Sequence, residues 1–337
     1  MPTIKDVARR ADVSVATVSA VINGDSDVNV SQELTEKVEQ AVEELDYHPN
    51  QIARALSRKK TNTIAYIIPS VSNQFFAQMT ELVEDLASNN DYGVYICNTG
   101  SGEERVNLYK NNIISGTVDG VLVTLTWLIR QSNFIESLKK ENIPVVGLAG
   151  ARVIEEIDTV IIDDEAGGRL AAKYLTDKGY SKIGFVGLKQ SRTTDKRLLG
   201  IKKYLEKHGE YSYDEDRVIK GTQFNREEGS KMMGKLLEKH WEIDAVIVYN
   251  DLIATGVLDK LQEEQVEVPG EIAVLGFDDS VAEYTRPKLT SMALSKKEMS
   301  YQAVQMLFER INNKNGSKEI PPRHKRVMPR LVERETT

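Results

Sequence analysis

Residues 3–23, TIKDVARRADVSVATVSAVIN, read as two short helices around a tight turn. Thr3 is placed to cap the first, with Asp6 three residues on in the manner of a capping box. Ile4, Val7 and Ala8 share one spacing-defined face, and Ala11-Asp12-Val13 breaks the periodicity. Ser14 then caps a second helix. Its Val18, Val21 and Ile22 turn inward, which leaves Val15, Ala16, Thr17, Ser19 and Ala20 outward. This is the helix-turn-helix plan, in which the second helix enters the major groove of DNA. A module of this size at the start of a long chain implies that the rest regulates it.

At 337 residues the chain exceeds one ordinary core, so two or more domains are expected. No apolar run approaches the roughly 18 residues that span a bilayer, and the N-terminus lacks the apolar centre of a signal peptide. The single Cys97 excludes an intrachain disulfide framework and fits a reducing cytoplasm. It lies in the strand-like run GVYICN, where a buried structural thiol is expected. A net charge of −7 argues against general affinity for nucleic acid. The first sixty residues carry eight basic side chains against ten acidic ones, or −2, leaving −5 for the remainder. Six of those acids (Glu33, Glu36, Glu39, Glu43, Glu44, Asp46) fall in a third helix that can face away from DNA. Arg54, Arg58, Lys59 and Lys60 cluster in one short segment. Operator affinity should then rest on dimerisation and fitted contacts more than on bulk charge.

The third helix is expected from about Ser31 to Leu45, with Leu34, Val38, Ala41, Val42 and Leu45 on its inner face. It completes a head over residues 1–47. In residues 48–60, HPNQIARALSRKK, Pro49 stops what precedes it, Asn50 can cap, and Gln51 to Ser57 can form two turns of helix. So short a helix is marginal alone and suits a segment that folds against DNA or a partner. From Thr61 onward, short apolar runs alternate with amphipathic stretches. The expected strands are TIAYII, GVYICN, GVLVTL, IPVVGL, TVII, KIGFVG, DAVIVY and IAVLGF. Between them fall FAQMTELVEDLASN, EERVNLYKNNII, AGGRLAAKYLTDKG, RLLGIKKYLEKHG and DLIATGVLDKLQEEQ as helices. Such alternation predicts an α/β class with doubly wound parallel sheets, and eight strands over this length suit two lobes.

Six stretches, in order, carry a resemblance to LacI/GalR-type transcription regulators: residues 3–23; LDYHPNQIARALSRKKTNTIAYIIPSVSNQFF; VIIDDEAGGRLAAKYL; AVIVYNDLIATGVL; IAVLGFDDS; and MPRLVERET. The resemblance spans essentially the whole chain. It implies a helix-turn-helix head, a hinge helix, and a periplasmic-binding-protein-like pair of lobes over 61–337 with an effector cleft between them. Lobe 1 would take about 61–162 and 293–320, and lobe 2 about 163–292 and 321–337, with crossings near Asp163, Met292 and Pro321. No leucine heptad follows MPRLVERETT, so a homodimer is expected rather than a tetramer. The implied partners are double-stranded operator DNA, a small-molecule effector of sugar type and a second copy of the chain, with no membrane and no cofactor.

On the second helix Val15 and Ala16 offer apolar contact of the kind a thymine methyl accepts. Thr3, Ile4, Thr17, Ser19 and Asn23 are placed for phosphates, beside the cap Ser14. The family usually carries a long polar or basic residue where this chain has Ala20, so a strong guanine contact is missing. The loop GDSDVNVSQE is about two residues longer than usual for the family. In the hinge, the resemblance implies that Leu56 wedges between base pairs in the minor groove, with Ala53 near the groove floor and Asn50 and Arg58 near phosphates. The alternative for Leu56 is packing on its own regulatory lobe.

In the cleft, Arg197, in the loop expected after KIGFVG, matches the family arginine that grips the ligand, and a guanidinium suits vicinal hydroxyls or a carboxylate. Asp278 ends IAVLGF, where open α/β sheets bind ligands, and Asn250 and Asp251 sit similarly after DAVIVY. Phe224 matches a family aromatic that stacks on the ligand. Phe75 approaches from the other lobe, Trp127 could add a second face, and Asp163 stands at the crossover. Each has a competing structural role: helix caps for Asp278 and Asp251, a carboxylate pair for Arg197, core packing for Phe75 and Phe224, an interface for Trp127, and the crossover itself for Asp163. Ala149 stands where some sugar-binding members have aspartate. Nucleobases, sugar phosphates and a protein co-repressor, as in catabolite control proteins, remain alternatives. Met306 replaces the arginine that those proteins would use, which weighs against that branch.

No HExxH or HxH spacing joins His48, His208, His240 and His324, so no metal site is expected. There is no GxSxG elbow and no phosphate-binding GxxxxGK[ST] loop, and Gly184 and Gly187 lack the full dinucleotide fingerprint. An enzyme is a poor reading. A solute-binding protein is the rival for 61–337, and the helix-turn-helix head argues against it.

Overall fold

The computed structural model describes residues 2–23, 30–48, 60–100, 102–126, 129, 132–208, 213–313 and 320–337. The chain divides into two compact units, Met1–Thr61 and Asn62–Thr337.

The first unit holds α1 (Ile4–Ala11), α2 (Val15–Asn23) and α3 (Gln32–Glu44). The Thr3 backbone N–H and Oγ1 both donate to Asp6 Oδ2, at 2.9 and 2.7 Å, which closes the capping box and holds the Asp6 carboxyl below its usual range. Asp12, in the left-handed region at φ 53°, ends α1. Ser14 Oγ accepts the Thr17 N–H at 3.0 Å, and Ser31 caps α3 through the Leu34 N–H. Val7, Ala8, Ala11, Val18, Val38, Ala41 and Tyr47 form the shared core. All six acids counted for the third helix are exposed, and Glu44 pairs with Arg10 of α1.

The second unit contains two six-stranded sheets. The first has the order β11-β5-β4-β3-β1-β2, built from β1 (Thr63–Ile68), β2 (Gly93–Asn98), β3 (Gly120–Thr124), β4 (Val145–Gly150), β5 (Asp158–Ile162) and β11 (His324–Val327). The second has the order β12-β10-β9-β8-β6-β7. It is built from β6 (Ile183–Leu188), β7 (Val218–Gly221), β8 (Ala245–Val248), β9 (Ala273–Asp278), β10 (Thr290–Ala293) and β12 (Arg330–Val332). Every pairing is parallel except β10 with β12. The central strands are apolar on both faces, as a sheet covered twice requires. Thus Ile64, Tyr66 and Ile68 pack with α4 (Gln74–Ser88) and α11 (Lys296–Asn312). Ala65 and Ile67 pack on the opposite face with α5 (Glu103–Asn112) and α6 (Phe134–Lys140). The second sheet is covered in the same way by α7 (Asp164–Asp177) and α8 (Arg192–Lys207) on one face, and by α9 (Arg226–Lys239) and α10 (Asp251–Glu263) on the other. Helices α7 and α8 meet backbone to backbone: a Cβ on Gly168 would collide with the Arg197 carbonyl oxygen.

The chain passes between lobes three times. Asp163 joins β5 to α7, and Leu294–Ser295 joins β10 to α11, close to the expected places. The third crossing lies at Met328–Pro329 rather than at Pro321, so residues 321–327 belong to lobe 1. The reason is β11, which pairs along β5 from His324↔Thr159 to Val327↔Ile162. Three of its four residues are exposed and polar, so no apolar run announces it.

Candidate functional site

On the head, Val15 and Ala16 stand exposed at the start of α2, with Val15 at 41%. Ser14 is exposed, and Thr17 is half-buried with Oγ1 2.8 Å from Ser14 Oγ. Thr3 is exposed beside a half-buried Ile4, Ser19 is half-buried, and Asn23 closes α2. Ala20 departs from the outward placement expected of it. It is buried at 6% exposure and outside the hydrophobic cluster. A single methyl reaches little beyond its own helix backbone, so a position that a longer side chain would project from is here covered. Asn50, Ala53, Leu56 and Arg58 lie outside the described residues, as does Trp127.

The two sheets share the strand order 2-1-3-4-5 among their first five strands, which reverses direction beside the first strand of each lobe. Ligands of open α/β sheets bind at that reversal, outside the carboxyl ends of the strands. A cleft of about 1330 Å³ opens there between the lobes. Lobe 1 contributes Ser70, Asn73 and Phe75 after β1, Asn98 from β2, and Thr124 from β3. Lobe 2 contributes Lys189 to Thr193 after β6, Phe224 after β7, Tyr249 after β8, and Asp278 from β9, with Arg197 behind them.

Arg197 lies in the second turn of α8 rather than in a loop, because the helix begins at Arg192 under the Ser191 cap. It is 2% exposed. Its Nε donates to Asp164 Oδ1 at 2.9 Å, its Nη1 to the Tyr249 carbonyl, and its guanidinium lies 3.8 Å from the Phe277 ring centroid. Burial pushes the Asp164 carboxyl up, against the pull of Arg197. The arginine therefore both lines the cleft and neutralises a buried carboxylate. A charge so placed is held in one orientation.

Asp278 lines the cleft at φ 98° and 7% exposure. Its Oδ2 accepts the Asn250 Nδ2–H at 3.3 Å. Burial, with the neighbouring Asp251 carboxylate second, raises it to about 7. Asp251 is fully buried and pushed to about 6 by desolvation. It does not cap a helix. It accepts the Ser280 N–H at 2.7 Å and the Ser291 hydroxyl at 2.6 Å, fixing the turn that follows β9. Asn250 was expected in the cleft and is instead the cap of α10, accepting the Ile253 N–H at 3.0 Å. Its free amide steadies Asp278 from behind. Asp163 likewise caps α7 through the Ala166 N–H and does not line the cleft. A backbone leaving a strand for a helix needs a capping side chain at the first residue, and that need takes both positions.

The aromatic expectations divide. Phe224 is 39% exposed and meets Tyr249 edge to face at 5.6 Å. Phe75 is 5% exposed, belongs to the lobe 1 core and also lines the cleft. Ala149 lines the cleft at φ 54° within a register shift of β4 against β5, a conformation that aspartate or asparagine adopts more readily than alanine. Sequence reasoning missed Asp164, Tyr249 and Lys296. The Lys296 ammonium donates to the Asp278 and Asp279 carbonyls at 2.8 and 3.0 Å and so ties the start of α11 in lobe 1 to the end of β9. Among the described residues, no three His, Cys, Asp or Glu side chains gather to hold a metal ion, and no helix is long and apolar enough to cross a membrane. Cys97 is buried, which raises its thiol to about 12.

Residues 3–50 match the family described as bacterial regulatory proteins, lacI family, and residues 172–337 match a periplasmic binding protein-like domain. The HTH-type transcriptional repressor PurR of Vibrio atlanticus (strain LGP32) is 34% identical over 339 residues, covering 100% of this chain and 98% of its own. The lac repressor dimer, solved bound to operator and the anti-inducer ONPF, superposes with a TM-score of 0.84 at 25% identity, covering 99% of this chain and 98% of that one. The transcriptional regulator CelR, solved as a cellobiose complex, gives a TM-score of 0.74 at 28% identity and 100% coverage of both chains.

Proposed function

Because the chain belongs to the lacI family of bacterial regulatory proteins, we propose that it represses transcription from an operator whose occupancy is set by a sugar-type ligand closing the cleft. The observation that carries this reading is the cleft itself. Two strand-order reversals open onto one cavity, which holds an oriented guanidinium, a buried carboxylate and an exposed aromatic ring. Paired polar groups and a ring face are what a polyhydroxylated ligand needs.

The head supplies the readout. Val15 and Ala16 offer apolar contact to base edges, while Thr3, Ser14, Thr17 and Ser19 offer hydroxyls to phosphates. In this reading two copies bind the half-sites of a near-palindromic operator in the cytoplasm, and Leu56 of each hinge enters the minor groove at its centre. A ligand that favours one arrangement of the lobes changes operator affinity by its differential affinity for the two arrangements. The catabolite-control alternative gains nothing from Met306, which is 4% exposed within the lobe 1 core and offers no surface to a protein partner.

The test is operator binding by fluorescence anisotropy with and without a panel of sugars, sugar derivatives and nucleobases, after thermal-shift screening of the same panel. A ligand that binds only the folded state raises the melting temperature. The expected result is a ligand that raises it and also shifts the operator titration. A ligand that stabilises the protein without moving operator binding would overturn the coupling. A panel dominated by nucleobases would overturn the sugar.

A further inference from the structure

The charges on the lobe 2 wall of the cleft are unbalanced. Between β6 and α8 the backbone is held firmly: Lys189 N–H donates to the Gly221 carbonyl at 2.8 Å, and Leu188 N–H donates to Thr194 Oγ1 at 3.1 Å. From this fixed loop the exposed side chains of Lys189 and Arg192 line the cavity, and neither forms an ion pair among the described residues. The contrast lies further along α8, where Lys196, Lys202 and Lys203 each pair with a carboxylate. Among the described residues the one acid lining the same wall is Asp278, which is buried and already faces Arg197. The chain as a whole carries −7, so two unneutralised cations beside an internal cavity stand against its general charge.

The facing wall is built differently at its deep end. Asn98 Oδ1 and Thr124 Oγ1 are shielded from solvent; Asn98 Oδ1 has no hydrogen-bond partner, and Thr124 Oγ1 has only the buried Tyr66 hydroxyl beside it, outside ordinary hydrogen-bond geometry. Both belong to residues that line the cavity at the ends of β2 and β3. Buried acceptors left open are satisfied by a donor that arrives with the ligand, since an unmet polar group costs free energy. Hydroxyl groups are such donors. The glutamates of lobe 1, Glu136, Glu155 and Glu156, lie in the segments after β3 and β4, and Glu155 faces His324 at 3.3 Å.

Building on the sugar-type reading above, we infer that the ligand is an anionic sugar derivative. Its carboxylate or phosphate is held by Lys189 and Arg192, and its hydroxyls reach Asn98 and Thr124. The two cations supply charge-assisted hydrogen bonds to the acidic group. A neutral sugar would leave them facing solvent and would gain nothing from them.

The experiment is isothermal titration calorimetry of the full-length chain with D-gluconate, D-glucuronate, D-glucose 6-phosphate, D-glucose, cellobiose and inorganic phosphate. It is repeated on Lys189→Gln/Arg192→Gln and at two ionic strengths. Both side chains are exposed, so the variant's unliganded melting temperature reports whether its fold is intact. The expected result is binding by a sugar acid or a sugar phosphate, with affinity that falls at high salt. It should fall about tenfold for each charge removed. Whether the carboxylates or the phosphate ester binds identifies the acidic group. Tight binding of D-glucose or cellobiose that ignores salt and the double substitution would overturn the anionic ligand while leaving the sugar reading in place. Binding of inorganic phosphate as tight as any sugar anion would overturn the role of Asn98 and Thr124. A flat response to all six would overturn the sugar reading together with this one.

Discussion

The two lobes have the same strand order and send different chemistry to the cleft. Lobe 2 presents ions: Arg197 locked against Asp164, Asp278 backed by Asn250 and Asp251, and the loop cations Lys189 and Arg192. Lobe 1 presents uncharged groups at its strand ends, Asn98, Thr124, Ser70 and Phe75, and keeps its charges, Glu136, Lys139, Arg152, Glu155 and Glu156, in the segments after β3 and β4. A scaffold that repeats almost strand for strand thus constrains where a ligand binds, while the residues at the strand ends decide what it is. The energetic consequence is also unequal. Lobe 2 holds its site by burying charges that need one another, whereas lobe 1 leaves buried polar atoms unmet, at about 1–3 kcal/mol each.

The sharpest way to break that contrast is Arg197→Ala. It leaves Asp164 buried without its cation, and an uncompensated buried charge costs about 3–5 kcal/mol. Urea unfolding should show a loss of that order, and the effector response should vanish with it. A variant as stable as the parent would mean that the pair is not what holds α7 and α8 at the cleft.

Asp278→Asn tests the same wall through pH. Asp278 keeps its proton up to about pH 7 in the folded chain, whereas an unfolded aspartate loses it near pH ~4. Between those limits the native state binds more protons, so this group lowers stability as pH rises and its penalty is complete above pH ~7. The amide keeps an acceptor for Asn250 and carries no charge. The variant should therefore gain on the parent by about 2 kcal/mol more at pH 8 than at pH 5, measured by thermal melting across that range. Asp251 titrates beside it and belongs to the same macroscopic step. A difference independent of pH would show that Asp278 is already ionised across the range.

How much of this was legible depends on whether a residue's role is local. Strands such as TIAYII and GVLVTL were visible because both faces are buried and an apolar run records that directly. The helix caps Thr3 and Ser14 were visible because their partners lie three residues on. Strands β7 (VIKG), β11 (HKRV) and β12 (RLV) were not. They are three or four residues long and stand at sheet edges, where one side needs no apolar cover. At the site the limit was distance along the chain. Arg197 was found, but Asp164 lies 33 residues away and its identity as the partner is set by packing of α7 on α8. Among adjacent polar residues the roles went astray in two ways: Asn250 caps where Asp251 was the candidate cap, and Asp163 caps while its neighbour Asp164, given no role, pairs with Arg197. Which of two neighbours faces inward depends on the backbone turn at the strand end, and no spacing rule reports it.

Between the lobes, Gln78 of α4 donates to the Ser280 carbonyl at 3.2 Å. Gln78→Met keeps the volume and removes the donor, so stability should fall by about 1 kcal/mol. Because this bond crosses from lobe 1 to lobe 2, ligand affinity should change with it. Calorimetry that shows altered stability and unaltered ligand affinity would make the bond a local brace with no part in closure.

The smallest expected effect lies in lobe 1. Thr124 Oγ1 is buried without a hydrogen bond of ordinary geometry, so Thr124→Val replaces a desolvated hydroxyl by a methyl of nearly the same shape. Without ligand, this should be neutral or stabilising by less than about 1 kcal/mol, since the removed group loses only its poorly aligned contact with the Tyr66 hydroxyl. With ligand, the same change removes an acceptor and should weaken binding several-fold. The two readouts move in opposite directions only if the hydroxyl is kept for the ligand. If Thr124→Val costs stability in the free protein, the hydroxyl is already bonded there, and lobe 1 would then resemble lobe 2 in holding its site through internal partners.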